Sequence, residues 1–535
     1  MKKIILALCA TTALAAGAYI SISHMNSRNV APEAQPLETT IDTHSTTVKP
    51  VASLPVAQPQ STHTPTGYAL GFKSLNIEHK IKNIPIDGLF PSWLNGAYIA
   101  VGPGRFEIGD SKSDHWLDGF GMLHKFTISK GEVSYRNKMV NSSYYKDSLQ
   151  KGSMVACYPD PNQSMFSKIA GAFSSTDRRE YDNANVNVIQ MNGKCMCLTE
   201  TPKPLLFGFD SLETQTPYVF NDEIEGHFSS AHPLYDPLTH EWFNFVINYG
   251  RTSTYTVYSC KEGNNIRTVR GQTTTSYPSY MHSFCLTPHY IVLLHMPFTV
   301  NPYDLILKSK PFIENFTWKP KQGTQFIIFD RETGKLVNTI TTKAFFALHQ
   351  INAFEKHGHI VIDLAAYKNA EIIKTFYLEP IHSHKHTIAP KSKIKRFILD
   401  VDKKQVIRKT VHKTSIEMPR INNSCRQSQH RYVYAMSSNK PSSPNKLVKI
   451  DTQTGAKKNW SWPNCYPSEP TFIANPDGTN EDDGVIVSIV LDAHKKQSFL
   501  LVLDAQSFAP IGQAWVPHHI PFIVHGNYFP KHEMN

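Results

Sequence analysis

Val186-Asn187-Val188-Ile189-Gln190-Met191-Asn192-Gly193-Lys194-Cys195-Met196-Cys197-Leu198 is the stretch from which the fold class is read. Two runs of strand-forming residues are separated by Asn-Gly, the pair favoured where both central turn positions need positive φ, so a tight hairpin is predicted. Cys195 and Cys197 alternate with Met196 and should share one face of their strand. The same grammar recurs outward from here. Phe126–Ile128 and Val133–Tyr135 flank Lys130-Gly131; Phe326–Phe329 and Leu336–Ile340 flank Asp330–Gly334; Val448–Ile450 runs into Asp451-Thr452-Gln453-Thr454-Gly455; Val485–Leu491 pairs with Phe499–Leu503. Short strands joined by tight turns predict an all-β fold, either propeller blades or a large sandwich. No strict repeat is visible, so the meanders by themselves do not choose between the two.

Composition agrees with a large folded core: of 535 residues, 40% are apolar and 19% charged, with 35 Pro and 27 Gly to serve turns. Length alone is a soft prior for several domains. Lys2 and Lys3 precede the apolar stretch Ile4–Ala16, and Ala16-Gly17-Ala18 has the small-x-small form of a cleavage site. Residues 1–24 therefore read as a signal peptide, with an uncleaved membrane anchor as the alternative. Either way the body is expected to be exported, to a periplasmic or extracytoplasmic place, and to associate with the membrane. Residues 25–65 are dominated by Pro, Thr, Ser, Ala and Gln and read as a disordered linker, which leaves 66–535 as the folded unit.

Seven cysteines follow Cys9, at 157, 195, 197, 260, 285, 425 and 465, with no zinc-ligand spacing and an odd count that argues against a full disulfide framework. The formal charge of +11 is spread, without aromatic-interleaved basic runs, so no nucleic acid is expected as partner. Anionic lipid is the better match for such a surface. Two apolar stretches, 164–173 and 302–316, interrupt the strand pattern. Each reads either as a helix packed on the core or as a basic-rimmed patch that touches a membrane.

The 25 histidines outnumber any site. His382, His384 and His386 read as a solvated loop, and His518-His519 have no evident partner. Four others adjoin apolar residues: His232 in Ser229-Ser230-Ala231-His232-Pro233, His282 in Tyr280-Met281-His282-Ser283, His349 in Leu348-His349-Gln350-Ile351, and His525 in Val524-His525-Gly526. They are too far apart for one local motif and could converge only as one ligand per blade around an axis.

At this point the sequence resembles a known family. Gly102-Pro103-Gly104-Arg105-Phe106, His115-Trp116-Leu117-Asp118-Gly119-Phe120-Gly121-Met122-Leu123-His124, Pro159-Asp160-Pro161 with Met165-Phe166-Ser167, Glu417-Met418-Pro419-Arg420-Ile421-Asn422, Glu469-Pro470-Thr471-Phe472 and Glu481-Asp482-Asp483-Gly484 run in the order found in the carotenoid cleavage oxygenases. The similarity is greatest to the animal-type branch of β-carotene oxygenases and the retinoid isomerohydrolase. The resemblance implies a seven-bladed β-propeller with a helical cap over the metal-bearing face. It also implies one Fe(II) per chain, held by His232, His282, His349 and His525. Glu200, Glu417 and Glu469 would accept hydrogen bonds from His282, His349 and His525, and Thr199 would stand beside an open coordination position. A carboxylate on the far ring nitrogen fixes a ligating imidazole's tautomer and raises its basicity.

The implied reaction inserts both atoms of O2 across a C=C bond of a carotenoid or apocarotenoid, giving two aldehyde products such as retinal. Stilbene cleavage and the isomerohydrolase reaction are the alternatives within the family. Isomerohydrolases carry paired cysteines where this chain has Ala365-Ala366, a departure that bears on membrane anchoring. The 164–173 and 302–316 stretches would provide peripheral membrane contact. Four neutral imidazoles also suit zinc or copper, so a hydrolase is a rival reading and a non-catalytic binding propeller is another.

Overall fold

A computed structural model of the chain describes residues 39–40, 67–155, 182–308, 310–383, 389–438 and 443–531. The expected leader, the linker to residue 65 apart from Thr39–Thr40, the 164–173 stretch with Met165 and Phe166, and His384 and His386 lie outside the described residues; Thr39–Thr40, read as disordered linker, pairs as a short strand with His79 and Lys80.

Among the described residues, seven sheets of four to six strands, antiparallel but for the edge pair Thr39–Thr40 with His79–Ile81, make up the fold beside two two-stranded ribbons. In chain order their innermost strands are Asn187–Met191, Phe228–Ser229, Cys285–Leu286, Phe346–Lys356, Ile416–Arg420, the pair Cys465–Pro467 and Thr471–Ala474, and finally His525–Pro530. This is the seven-bladed propeller that the resemblance implied. The blades pack against their neighbours on both faces, so the middle strands are more buried than the peripheral ones. Gly484–Asp492, for instance, is buried at every interior position, whereas the peripheral strand Gln405–His412 stays partly or fully exposed.

Closure is double. The last strand, His525–Pro530, pairs with Gly96–Arg105 in the blade that begins the domain, with His525 opposite Val101. The early strand Ile86–Gly88 completes the preceding blade by pairing with Pro510–Val516. Tyr98, Phe126, Val487 and Leu500 share one core cluster between these two blades. A sheet closed on itself leaves no unpaired inner edge, and a strand borrowed from the other chain end locks the ring.

The predicted Asn192-Gly193 hairpin forms: φ is 54° and 69° at the two positions, and Asn187–Met191 pairs with Lys194–Leu198. Cys195 and Cys197 face one buried cluster, and the described cysteines (195, 197, 260, 285, 425 and 465) are free thiols. The stretch at 302–316 is a short helix, Pro302–Leu307, followed by a 3-10 turn, Phe312–Asn315. It packs on the core in part, as the first reading has it. Leu305 and Ile313 pack on the core while Tyr303, Leu307 and Phe312 are exposed. His518 and His519, which had no evident partner in the sequence, do have one: His518 stacks on His79 at 4.1 Å and reaches Tyr135 Oη at 3.3 Å, and His519 Nε2 meets Lys73 O at 3.1 Å. His382 closes the helix Leu378–His382.

Candidate metal centre

Each of the seven blades contributes one charged or metal-ligating side chain to the axis. His525 comes from the closing strand, Glu200 follows Lys194–Leu198, His232 follows Phe228–Ser229, and His282 precedes Cys285–Leu286. His349 lies in Phe346–Lys356, Glu417 in Ile416–Arg420, and Glu469 between Cys465–Pro467 and Thr471–Ala474. Inner strands end near the axis, so residues 50, 67 and 176 positions apart in sequence become neighbours.

The four histidines bring one ring nitrogen each to within 4.8 Å of all the others. Nε2 of His232 is 2.9 Å from that of His282, which is 3.2 Å from His349 Nε2, itself 3.3 Å from His525 Nε2. The far nitrogens meet carboxylates: His282 Nδ1 to Glu200 Oε1 at 2.6 Å, His349 Nδ1 to Glu417 Oε2 at 2.7 Å, and His525 Nδ1 to Glu469 Oε1 at 2.9 Å. A carboxylate only accepts, so each of these Nδ1 atoms carries the proton and each Nε2 presents a bare lone pair. Three lone pairs then face one another at 3.2–3.3 Å with no proton between them. They repel unless a cation sits among them, and the donor set fits a metal ion for that reason.

Burial completes the electrostatics. His525 and Glu469 are 1% and 2% exposed at their side chains. Burial pushes His525 down to about 4, with Glu469 partly opposing, and pushes His232 well below the usual imidazole range, reinforced by its three histidine neighbours. His525 and His232 therefore stay neutral and ready to ligate. Burial would raise the Glu469 carboxyl, yet Arg420 and His525 hold it at about 2, and His349 holds Glu417 below its ordinary value in the same way.

An outer layer was not legible in the sequence. Tyr280 Oη donates to Glu200 Oε1 at 2.9 Å, and Tyr367 Oη donates to Glu417 Oε1 at 2.8 Å. Arg420 grips both Glu469 oxygens, at 2.8 and 2.9 Å. Tyr280 had one available signal: it stands two positions before His282 in extended chain, hence on the same side. Tyr367 had none, because only the packing of one blade against the next carries it to Glu417. Thr199 is buried beside Glu200, and none of the hydrogen bonds described for the centre passes through it. Among the described residues, no carboxylate pairs with His232.

A family model described as retinal pigment epithelial membrane protein matches residues 72–530. The chain is 29% identical to the beta,beta-carotene 15,15'-dioxygenase of Gallus gallus over 84% of this chain and 95% of that protein. It is 30% identical to the mitochondrial carotenoid-cleaving dioxygenase of Homo sapiens, with coverages of 83% and 87%. Against the chloroplastic carotenoid cleavage dioxygenase 8 of Arabidopsis thaliana the identity is 30%, covering 86% of each. Among solved structures, an ACO/RPE65 chimera superposes with a TM-score of 0.78 at 24% identity, over 87% of this chain and 98% of that one. A cobalt-substituted Synechocystis apocarotenoid oxygenase superposes at 0.77, with the same identity and coverages.

Proposed function

The chain belongs to the retinal pigment epithelial membrane protein family, and from that premise we propose that it is a carotenoid cleavage dioxygenase that uses one Fe(II) held by His232, His282, His349 and His525. The observation that carries the metal is the set of bare Nε2 lone pairs turned toward one point, three of them fixed by carboxylates. The absence of a carboxylate among the four converging groups leaves the ligand set neutral, and a soft-to-intermediate divalent ion suits imidazoles. Three glutamates against Arg420 give a net charge of −3 + 1 = −2 around the histidines, the complement of a divalent ion.

When bound, the iron would supply the redox step in which O2 adds across one polyene C=C bond to give two carbonyl products. The protein's own part is positional. Glu200, Glu417 and Glu469 keep the protons on Nδ1, and Tyr280, Tyr367 and Arg420 keep the glutamates in place. The similarity to carotenoid dioxygenases supports a carotenoid or apocarotenoid as substrate, with O2 as co-substrate.

The patch formed by Tyr303, Leu307 and Phe312, with Lys308 and Lys310 at its rim, supports a membrane surface as the source of such an apolar molecule. No described helix is long and apolar enough to cross a membrane. The deciding experiment is anaerobic purification with metal analysis, then O2 uptake and aldehyde detection with β-carotene, an apocarotenal and a hydroxystilbene. One iron per chain with aldehydes from a carotenoid or apocarotenal is the expected result. Cleavage of the stilbene alone would move the substrate class, and iron without O2 uptake on any of the three would favour isomerohydrolase chemistry.

A further inference from the structure

On the propeller axis the histidine group borders a cavity of about 110 Å³, lined on one side by His232, His349 and His525 and further out by Arg420, Arg426 and Gln427. The exposed Asn423 marks its outer end. The volume is far too small for a polyene, but it holds a few waters or a small ion. Two guanidiniums enter this space and they are not equivalent. Arg420 is committed to both Glu469 oxygens and to Gly526 O. The Arg426 side chain has no hydrogen bond or ion pair among the described residues, although its backbone N–H is bonded to Asn423 O. Burial, with Arg420 nearby, pushes its pKa down to about 10, so it remains a cation at neutral pH.

Arg426 is half-buried and faces this cavity with no protein partner for its charge among the described residues, so an anion there would supply the missing counter-charge. The charges near the axis leave Arg426 over. Three glutamates and Arg420 offset a divalent ion, so Arg426 adds one positive charge with nothing to oppose it. That tally rests on the divalent-metal reading given above, while the lack of a partner for Arg426 does not.

Neutral groups beside it are also short of partners. Gln350 lines the same cavity and its side-chain Oε1 is buried without a hydrogen bond. An amide flip would present N–H₂ at that position instead. Gln427 spends its Oε1 on Arg331 Nη1 at 3.2 Å, which leaves its amide N–H₂ as the donor. The segment is held in an unusual backbone shape, with Met418 at φ 50° and Gln427 at φ 62°. Non-glycine residues in the left-handed region are costly and persist where the surroundings impose them.

We infer that this cavity is a binding site for one small inorganic monoanion of the chloride or bicarbonate type, with the Arg426 guanidinium as its counter-charge and the amides of Gln350 and Gln427 as further donors. It shares its wall with the ligands His232, His349 and His525 and with the Glu469 carboxylate, and places a negative charge on the axis beside them.

The test uses metal-loaded protein crystallised from halide-free buffer and soaked in sodium bromide, with anomalous maps at both the bromine and the iron edges. One bromide peak within hydrogen-bond distance of Arg426 is expected, distinct from the iron peak. Calorimetric titration with bromide in solution should saturate, compete with bicarbonate, and weaken by at least about tenfold in Arg426→Gln, with Arg426→Lys in between. A bromide peak only at the metal, water alone at Arg426, or equal affinity in wild type and Arg426→Gln would overturn the site. Should Arg426→Gln not fold, the wild-type map decides by itself. Because the iron edge is read from the same crystal, loss of the metal reading and loss of the anion site are distinguishable.

Discussion

Glu469 holds His525 and Arg420 at once: its Oε1 accepts the His525 Nδ1 proton at 2.9 Å while Arg420 closes on both its oxygens. The other two glutamates take a neutral tyrosine where Glu469 takes a guanidinium. One arm of the centre is therefore braced by a buried ion pair and two by hydroxyl hydrogen bonds. A buried carboxylate stripped of its cation is left with its full desolvation penalty.

Arg420→Met should therefore harm the centre more than Tyr280→Phe or Tyr367→Phe. Metal affinity, measured by competition with a chelator, is expected to fall by roughly 10–100-fold in Glu469→Gln, the range for groups that orient a ligand. Arg420→Met should fall at least as far. The tyrosine variants should lie within about tenfold of wild type, the loss of one hydrogen bond. Equal affinity in Arg420→Met and wild type would refute the brace.

Removing the metal should soften the ring closure. His525 opens the strand that joins the first and last blades, so ligand repulsion in the apo form acts on the closure itself. Iron at about 1,000 times its dissociation constant stabilises the folded state by about 4 kcal/mol. Calorimetric melting of apo and loaded protein should differ accordingly, and His349→Ala should abolish the difference.

Gly526 admits no side chain. A Cβ there would stand 2.5 Å from Tyr98 Oη and 2.9 Å from Ala100 Cβ, both on or beside the closing strand's partner. Its N–H also reaches Glu469 Oε2 at 3.2 Å. Gly526→Ala should cost about 1–3 kcal/mol, as overpacking does, and lower metal affinity with it. Denaturant unfolding of the apo protein separates the two effects.

Asp118 sets a pH dependence away from the metal. Burial, aided by Asp114 and Glu314, raises its carboxyl from 3.8 to about 7. The folded state thus keeps a proton that the unfolded chain releases above about pH 4, so stability should fall as pH rises from about 4 to 7 and, as far as this group is concerned, stay level at the lower value above that window. Asp118→Asn should flatten this part of the profile in urea unfolding of the metal-free protein, and an unchanged slope would remove Asp118 as its cause.

The sequence by itself determined the local grammar and the ligand types. Asn192-Gly193 can only be a tight turn between its two strands, since both positions need positive φ, and it is one. His232, His282, His349 and His525, with Glu200, Glu417 and Glu469, stood out through motifs that keep their order along the chain, and the structure brings all seven to the axis. Tertiary structure alone decided the rest. His525 reaches Val101 because a C-terminal strand completes an N-terminal blade, a pairing that no local pattern encodes. Tyr367 meets Glu417 across two blades, and His518 finds His79 and Tyr135 across the closure. Arg426, with its side chain unpartnered, is indistinguishable in the sequence from any surface arginine. Burial and long-range contacts depend on how blades stack, and stacking is a property of the closed ring rather than of any stretch within it.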